Sequence, residues 1–369
     1  MSGDALDEVF ALAGAAIEVP PLEPAAVDRR VRAVRARRRR RVAAVLAAGV
    51  LVAGVGTVLG VHGSGPSSPA PPPPEVAAVD NPAPAAWWGN DVLHLRHAAV
   101  PLARVRELVE VGDGAVVGDD RGAVRLVGAG GELTTIGRTA VGAPLVASPE
   151  RGLVAWVDPG GTTPRLVVYD AEDRRLRATL DLPAGGSRPI ALDRETLYSA
   201  DPAGDWRLRP PYDSPEKVDA GGLVDVASAV VLRQLGPRTL DVVQPFFSVD
   251  HRLRGSAGAE LSPDGSYVLT RLGATPQDST GAVRIYDARS GAAVWTGLRR
   301  GDQVLATSLG PGDLATYALA HRPDQPKAGE YVRMSFTGPY ELRTCHLATH
   351  TCARLVRFPH TGALPVLAG

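Results

Sequence analysis

The chain has 369 residues, 44% of them hydrophobic and 22% charged, with 40 basic and 40 acidic side chains and a formal net charge of zero. The apolar content excludes a disordered chain, and the charge balance argues against a nucleic-acid or heparin binder. With 41 glycines, 32 prolines and only 5% aromatics, the composition predicts short strands joined by tight turns. Lys217 and Lys327 are the only lysines, an arginine bias with no functional content.

Residues 1–41 read as a basic cytoplasmic tail with nine arginines against six acids, while the rest of the chain carries a net charge of −3. Leu6, Phe10, Ala13 and Ile17 share one helical face that Asp4 is placed to cap, and Pro20-Pro21 ends that helix. A second helix from about Pro24, with Val27, Val31 and Val34 on one side, leads toward the next segment. The tail is a candidate docking helix for a cytoplasmic partner or a juxtamembrane segment lying on anionic lipid.

Residues 42–61, VAAVLAAGVLVAGVGTVLGV, hold no charge and one polar side chain, Thr57. Twenty such residues make a helix of about 30 Å, the thickness of a bilayer core, with no polar stripe of the kind a buried globular helix shows. The lipid is therefore an expected partner of this segment. Arg35 and Arg37, Arg38, Arg39, Arg40 and Arg41 stand immediately before it and nothing comparable follows, which places the N-terminus in the cytoplasm and the C-terminal part outside. A cleaved signal peptide would need an n-region of 41 residues and has no convincing cleavage site, so an uncleaved plasma-membrane anchor is expected. Gly56 and Gly60 have GxxxG spacing, which arises readily in so small-residue a helix.

Residues 62–89 read as a flexible linker, since PSSPAPPPPEVAAVDNPAPAA favours an extended polyproline spacer. From residue 90 to 369 apolar runs of four to seven residues alternate with Gly, Pro, Asp and Ser, which predicts an all-β domain. Two units match. One leads from Ser148-Pro149 through a strand to Arg165-Leu-Val-Val-Tyr-Asp170. The other leads from Ser262-Pro263-Asp264-Gly265 through a strand to Arg284-Ile-Tyr-Asp287. Four strands repeating near 40 residues are the signature of a β-propeller. Ser148 and Ser262 lie 114 residues apart, three repeats of 38. Counterparts of the turn fall at Gly112–Gly114, Asp193–Glu195, Ser228 and Gly310–Asp313. The leftover segments 92–102 and 362–369 would complete a seventh blade from the two ends and close the ring. Seven blades are expected, with six as the alternative.

Ser262–Gly265, Arg284–Asp287 and Ser290-Gly291 resemble the repeats of bacterial TolB-type and WD-repeat-like propellers. The whole arrangement resembles actinobacterial single-pass membrane proteins that bear an extracytoplasmic propeller. The resemblance implies protein or ligand binding on a rigid scaffold. The chain lacks the Trp-Asp and Gly-His dipeptides of WD repeats, so their hydrogen-bonded network does not carry over.

No HExxH, GxSxG or Walker motif is present, and no catalytic residue, metal ligand or cofactor is assigned. Asp119, Asp120 and Asp170 read as turn carboxylates; His94, His97 and His251 are isolated. Trp87-Trp88 is expected to plug an end of the first blade, and His321–Glu330 is a candidate recognition loop. Cys345 and Cys352, within TCHLATHTC, fall opposite each other if a turn centres on Ala348-Thr349, at a Cα separation of about 5.5 Å. Outside the cell this predicts a disulfide; a metal site with His346 and His350, or a redox pair, are the other readings. The expected function is a non-catalytic binding scaffold for an extracytoplasmic protein or ligand, its tail a candidate for signalling. The alternatives are a propeller enzyme acting on an envelope glycan or peptide, and a structural envelope component.

Overall fold

The computed structural model describes residues 76–369, apart from 161–162, 183–186, 202–203, 210–214, 219–221, 245–248, 256–257, 273–281, 300–301, 322–338 and 360–363. The expected tail, the membrane helix, the arginines at 35–41, linker residues 62–75 and loop residues 322–330 lie outside these. Among the described residues no helix is long and apolar enough to cross a membrane.

The strands form seven antiparallel sheets of four, which makes the domain a seven-bladed β-propeller. From the innermost strand outward, blade 2 is Val105–Val111, Gly114–Asp119, Ala123–Val127 and Leu133–Arg138. Blade 3 is Val146–Ser148, Leu153–Asp158, Arg165–Asp170 and Arg175–Asp181. Blade 4 is Arg188–Asp193, Thr196–Asp201, Gly204–Leu208 and Glu216–Lys217. Blade 5 is Leu223–Ala227, Val230–Gly236, Thr239–Gln244 and Val249–Arg254. Blade 6 is Glu260–Leu261, Tyr267–Leu272, Ala282–Asp287 and Ala293–Val294. Blade 7 is Asp302–Leu309, Leu314–His321, Tyr340–His346 and Thr351–Phe358.

Blade 1 is built from both ends of the domain. Its three outer strands are Trp87–Gly89, Val92–His94 and Ala99–Pro101, and its innermost strand is Val366–Leu367. Trp87 pairs with Leu367 and Trp88 with Val366, and the Ala368 N–H donates to the Ala86 carbonyl at 3.0 Å. This closure leaves no sheet open at the join. Trp87–Gly89 lies just before residue 90, inside the stretch read as linker, and Ala77 already bridges to Ala99. Asn81 anchors the entry: its Oδ1 accepts from the Ala83 N–H at 2.9 Å and from Trp87 Nε1 at 3.0 Å.

The core consists of seven seams, one between each pair of neighbouring blades. Side chains alternate along a strand, so a middle strand of a blade feeds two seams at once. On blade 2, Ala115 and Val117 face blade 1 while Val116 faces blade 3. On blade 3, Val154 and Trp156 face blade 2 while Leu153 and Ala155 face blade 4. This explains the continuous apolar runs, which a sheet with one wet face would not tolerate. Few aromatics suffice because Trp87, Trp88 and Trp156 are 1–2% exposed. Each contributes roughly 4–6 kcal/mol of transfer free energy as an upper bound.

Candidate functional site

The serine-proline segments serve the fold. Ser148-Pro149 opens a 3-10 turn, Pro149–Arg151, between the first two strands of blade 3, and the Gly112 N–H of blade 2 donates to the Pro149 carbonyl. In blade 6, Ser262 Oγ donates to Asp264 Oδ1 at 2.6 Å and accepts from the Tyr267 N–H at 2.9 Å. Asp264 also takes the Ser266 N–H and hydroxyl, and Pro263 supplies a carbonyl to the Ser228 hydroxyl of blade 5. Gly265 has φ +71°, and a Cβ there would lie 2.8 Å from the Ala227 carbonyl oxygen, so the position suits glycine alone. Asp119 and Asp170 likewise accept from main-chain N–H groups in their own turns.

The histidines and tryptophans are tied into packing. His94 stacks on Trp87 with ring centroids 3.7 Å apart, and burial lowers its pKa to about 4. His97 pairs with Asp80 at the surface, and His251 Nε2 meets the Arg289 carbonyl of blade 6. Trp87 faces the blade 7 seam and Trp88 the blade 2 seam, where its Nε1 donates to the Leu102 carbonyl. Both rings fill the join of the ring.

Cys345 and Cys352 are disulfide-bonded and paired across the last hairpin, which turns at 347–350. Their Cα atoms are 4.1 Å apart, closer than the expected 5.5 Å. That spacing belongs to a non-hydrogen-bonded antiparallel pair, in which the chains approach more closely. His346 pairs with Thr351, and His350 sits in the turn at φ +55° with its ring 5.1 Å from Trp295. With both sulfurs bonded to each other, neither is a thiolate ligand. Gly297, from the crossing between blades 6 and 7, covers the bond; a Cβ there would approach Cys352 Sγ to 2.4 Å.

The blades carry a set of acids, most of them on innermost strands, of which sequence reading named only Asp193, as part of a turn. Asp193 at the end of blade 4's inner strand accepts the Ser228 and Ala229 N–H groups of blade 5 at 3.1 and 3.0 Å. Asp225 of blade 5 accepts the Leu261 N–H of blade 6 at 2.7 Å and its neighbour's, Val226, at 2.8 Å. Glu110 of blade 2 accepts the Ala86 N–H at 2.6 Å. Asp205 of blade 4 takes the Leu223 N–H of blade 5. These carboxylates clasp one blade to the next, and three of the partners lie 35–36 residues away, about one repeat. A hydrogen bond with a charged acceptor is worth roughly 1.5–3 kcal/mol.

Desolvation dominates the protonation of Asp225, Glu260 and Glu107. It raises Asp225 to about 6, against the hydrogen bonds from Leu261 and Val226 that lower it. Glu260, on blade 6's inner strand, is raised to about 7 by burial, with Arg271 opposing and the Asp225 charge reinforcing. Its Oε1 is buried and accepts no hydrogen bond among the described residues. Glu107 on blade 2 is also raised to about 7 by burial. Chemically, Asp193, Asp225 and Glu110 are committed acceptors, while Glu260 keeps one buried oxygen without a hydrogen bond among the described residues. Among the described residues no group of three or more His, Cys, Asp or Glu side chains is placed to hold a metal ion.

No protein-family model matches the chain, and no curated protein matches it. Solved structures do. A chain from a crystal structure of the mitotic checkpoint complex is 13% identical, covering 83% of this chain and 91% of that one, with a TM-score of 0.46. TolB from Acinetobacter baumannii is 12% identical over 71% of this chain and 65% of its own, with a TM-score of 0.39. BamB from Moraxella catarrhalis is 13% identical over 80% and 93%, with a TM-score of 0.38. At these values the likenesses add nothing to the strand order, which establishes the propeller by itself.

Proposed function

We propose that the protein is a membrane-anchored, extracytoplasmic propeller that acts as a non-catalytic scaffold for a protein or ligand, with a cytoplasmic tail available to report binding. The observation that carries the scaffold reading is an asymmetry between the two ends of the blades. Connections from first to second strand span two to five residues, whereas those from second to third reach six in blade 3, nine in blade 6 and eighteen in blade 7. In an up-and-down sheet these two sets leave opposite ends. Apart from the seven-residue connection to the fourth strand of blade 4, one face of the ring is thus turned tightly, and the other carries the longest connections, of the kind that recognition uses. The anchor rests on the apolar segment 42–61 and its arginine flank.

A funnel enzyme is the second reading, favoured by Glu260 with its near-neutral pKa and spare oxygen. Against it, that oxygen is buried and the neighbouring acids are occupied by main-chain amides. The test is cross-linking capture from membranes with the full-length protein tagged separately on tail and propeller. A partner retained by the propeller tag should be lost when residues 322–338 are replaced by a short Gly-Ser turn. Retention of none, or retention indifferent to that replacement, would overturn the proposed rim. A tail tag that retains no cytoplasmic protein would remove the signalling role.

A further inference from the structure

Blade 6 ends in a fourth strand of two residues, Ala293–Val294, whereas the fourth strand of blade 7, Thr351–Phe358, has eight. The outer half of blade 7's flank toward blade 6 therefore has no facing strand of equal length. On that flank the register sets Leu319, Glu341 and Arg357 in one row and Tyr317, Arg343 and Arg354 in the next. Leu319 and Tyr317 belong to the seam with blade 6, so the charged residues of both rows project on the same side. The result is a groove of about 290 Å³ lined by Arg299, Asp302, Glu341, Arg343, Arg354 and Arg357.

Its charges are unequally matched. Arg343 is nearly buried and takes both acids: Nη1 donates to Asp302 Oδ2 at 2.7 Å and Nη2 to Glu341 Oε1 at 2.6 Å. Asp302 Oδ2 also accepts the Arg299 main-chain N–H at 2.9 Å. Arg299, Arg354 and Arg357 are exposed, and among the described residues none of their guanidinium groups has an ion-pair or hydrogen-bond partner. Arg354 stands directly opposite Arg343, a like-charge cross-strand pair that disfavours the hairpin unless something offsets it. Four arginines against two acids leave the groove at +2.

We propose that this groove is an oxyanion site that takes a phosphate group. A carboxylate fills one guanidinium fork, whereas a tetrahedral phosphate presents oxygens to three, and arginine's planar donors suit that geometry. Arg343, held by its two acids, forms the fixed floor; Arg354, Arg357 and Arg299 close over the anion. The proposal rests on blade 7's flank and the crossing that bears Arg299, not on the long connections or the membrane anchor.

Calorimetric titration of the full-length protein in phosphate-free buffer tests it, with inorganic phosphate and short-chain polyphosphate as probes. Both probes, or the polymer alone, should bind, and Arg354→Gln/Arg357→Gln should weaken binding at least tenfold with the thermal unfolding of the ligand-free protein no lower. Binding of inorganic phosphate marks a site for the free ion or a monoester; binding of polyphosphate alone marks one for a phosphate polymer. Arg299→Gln, which keeps the main-chain bond to Asp302, should weaken binding in the same direction. Failure of the wild type to bind either probe, or equal binding by the variants, would overturn the proposal while leaving the scaffold reading to its own test.

Discussion

Glu260 holds its proton in the folded protein where the unfolded chain would release it, and this makes stability depend on pH in a definite direction. Its pKa is about 7 folded against an ordinary 4.5, so the folded state binds more protons throughout that window. Stability is then full below about pH 4.5 and falls as pH rises toward 7. Asp225 and Glu107 are shifted the same way and add to the decline. Glu260→Gln should flatten the Glu260 part of the curve, leaving the variant no less stable than wild type at pH 4 and more stable at pH 8. The difference has an upper bound of about 3 kcal/mol. Urea midpoints across that range measure it, and coincident curves for the two proteins would contradict the assignment.

The hairpin of blade 7 shows what one element contributes. Its disulfide closes a short loop, separation seven, and sits over the blade 6 crossing at Gly297. Cys345→Ser/Cys352→Ser should lower stability by about 2.5 kcal/mol or less on the loop-entropy scale, with the fold retained. Denaturant unfolding reads the loss, and a change below 0.5 kcal/mol, on the order of experimental error, would show that the seam alone holds the hairpin. This element was legible in the sequence because a two-strand hairpin is local: Cys345, Cys352 and the turn between them lie within one short span. The same holds for the turns at Gly112–Gly114, Asp193–Glu195, Ser228 and Gly310–Asp313, each of which joins the first two strands of a blade. What sequence did not reveal joins distant parts. Asp225 accepts the main-chain N–H of Leu261, and a main-chain donor leaves no mark on residue identity. The arginine groove depends on the shortness of Ala293–Val294, which only neighbouring strands make visible.

For the whole molecule, the ring is held shut by a strand of two residues, and this concentrates risk at one place. Deleting residues 364–369 removes the innermost strand of blade 1 and bares the edge of Trp87–Gly89. It also takes Ala368 from the carbonyl bond with Ser308 Oγ and from the blade 1 seam. The truncated protein should unfold less cooperatively and associate through the bared edge. Calorimetry and size-exclusion chromatography check both, and a monomer with an unchanged transition would mean that six blades suffice. The repeat arithmetic foresaw this join, since the 114 residues from Ser148 to Ser262 span three blades and strands from the two remnants share blade 1, although Val366–Leu367 pairs with Trp87–Gly89 from the stretch read as linker.

The same join sets a timetable for biosynthesis. Blade 1's outer strands leave the ribosome early, and their partner at Val366–Leu367 follows some 265 residues later. At about 5–20 residues per second, that is roughly 13–50 seconds in which Trp87 and Trp88 wait without their finishing strand. Over that interval the edge of Trp87–Gly89 is open to any other strand, until Val366–Leu367 arrives to pair with it.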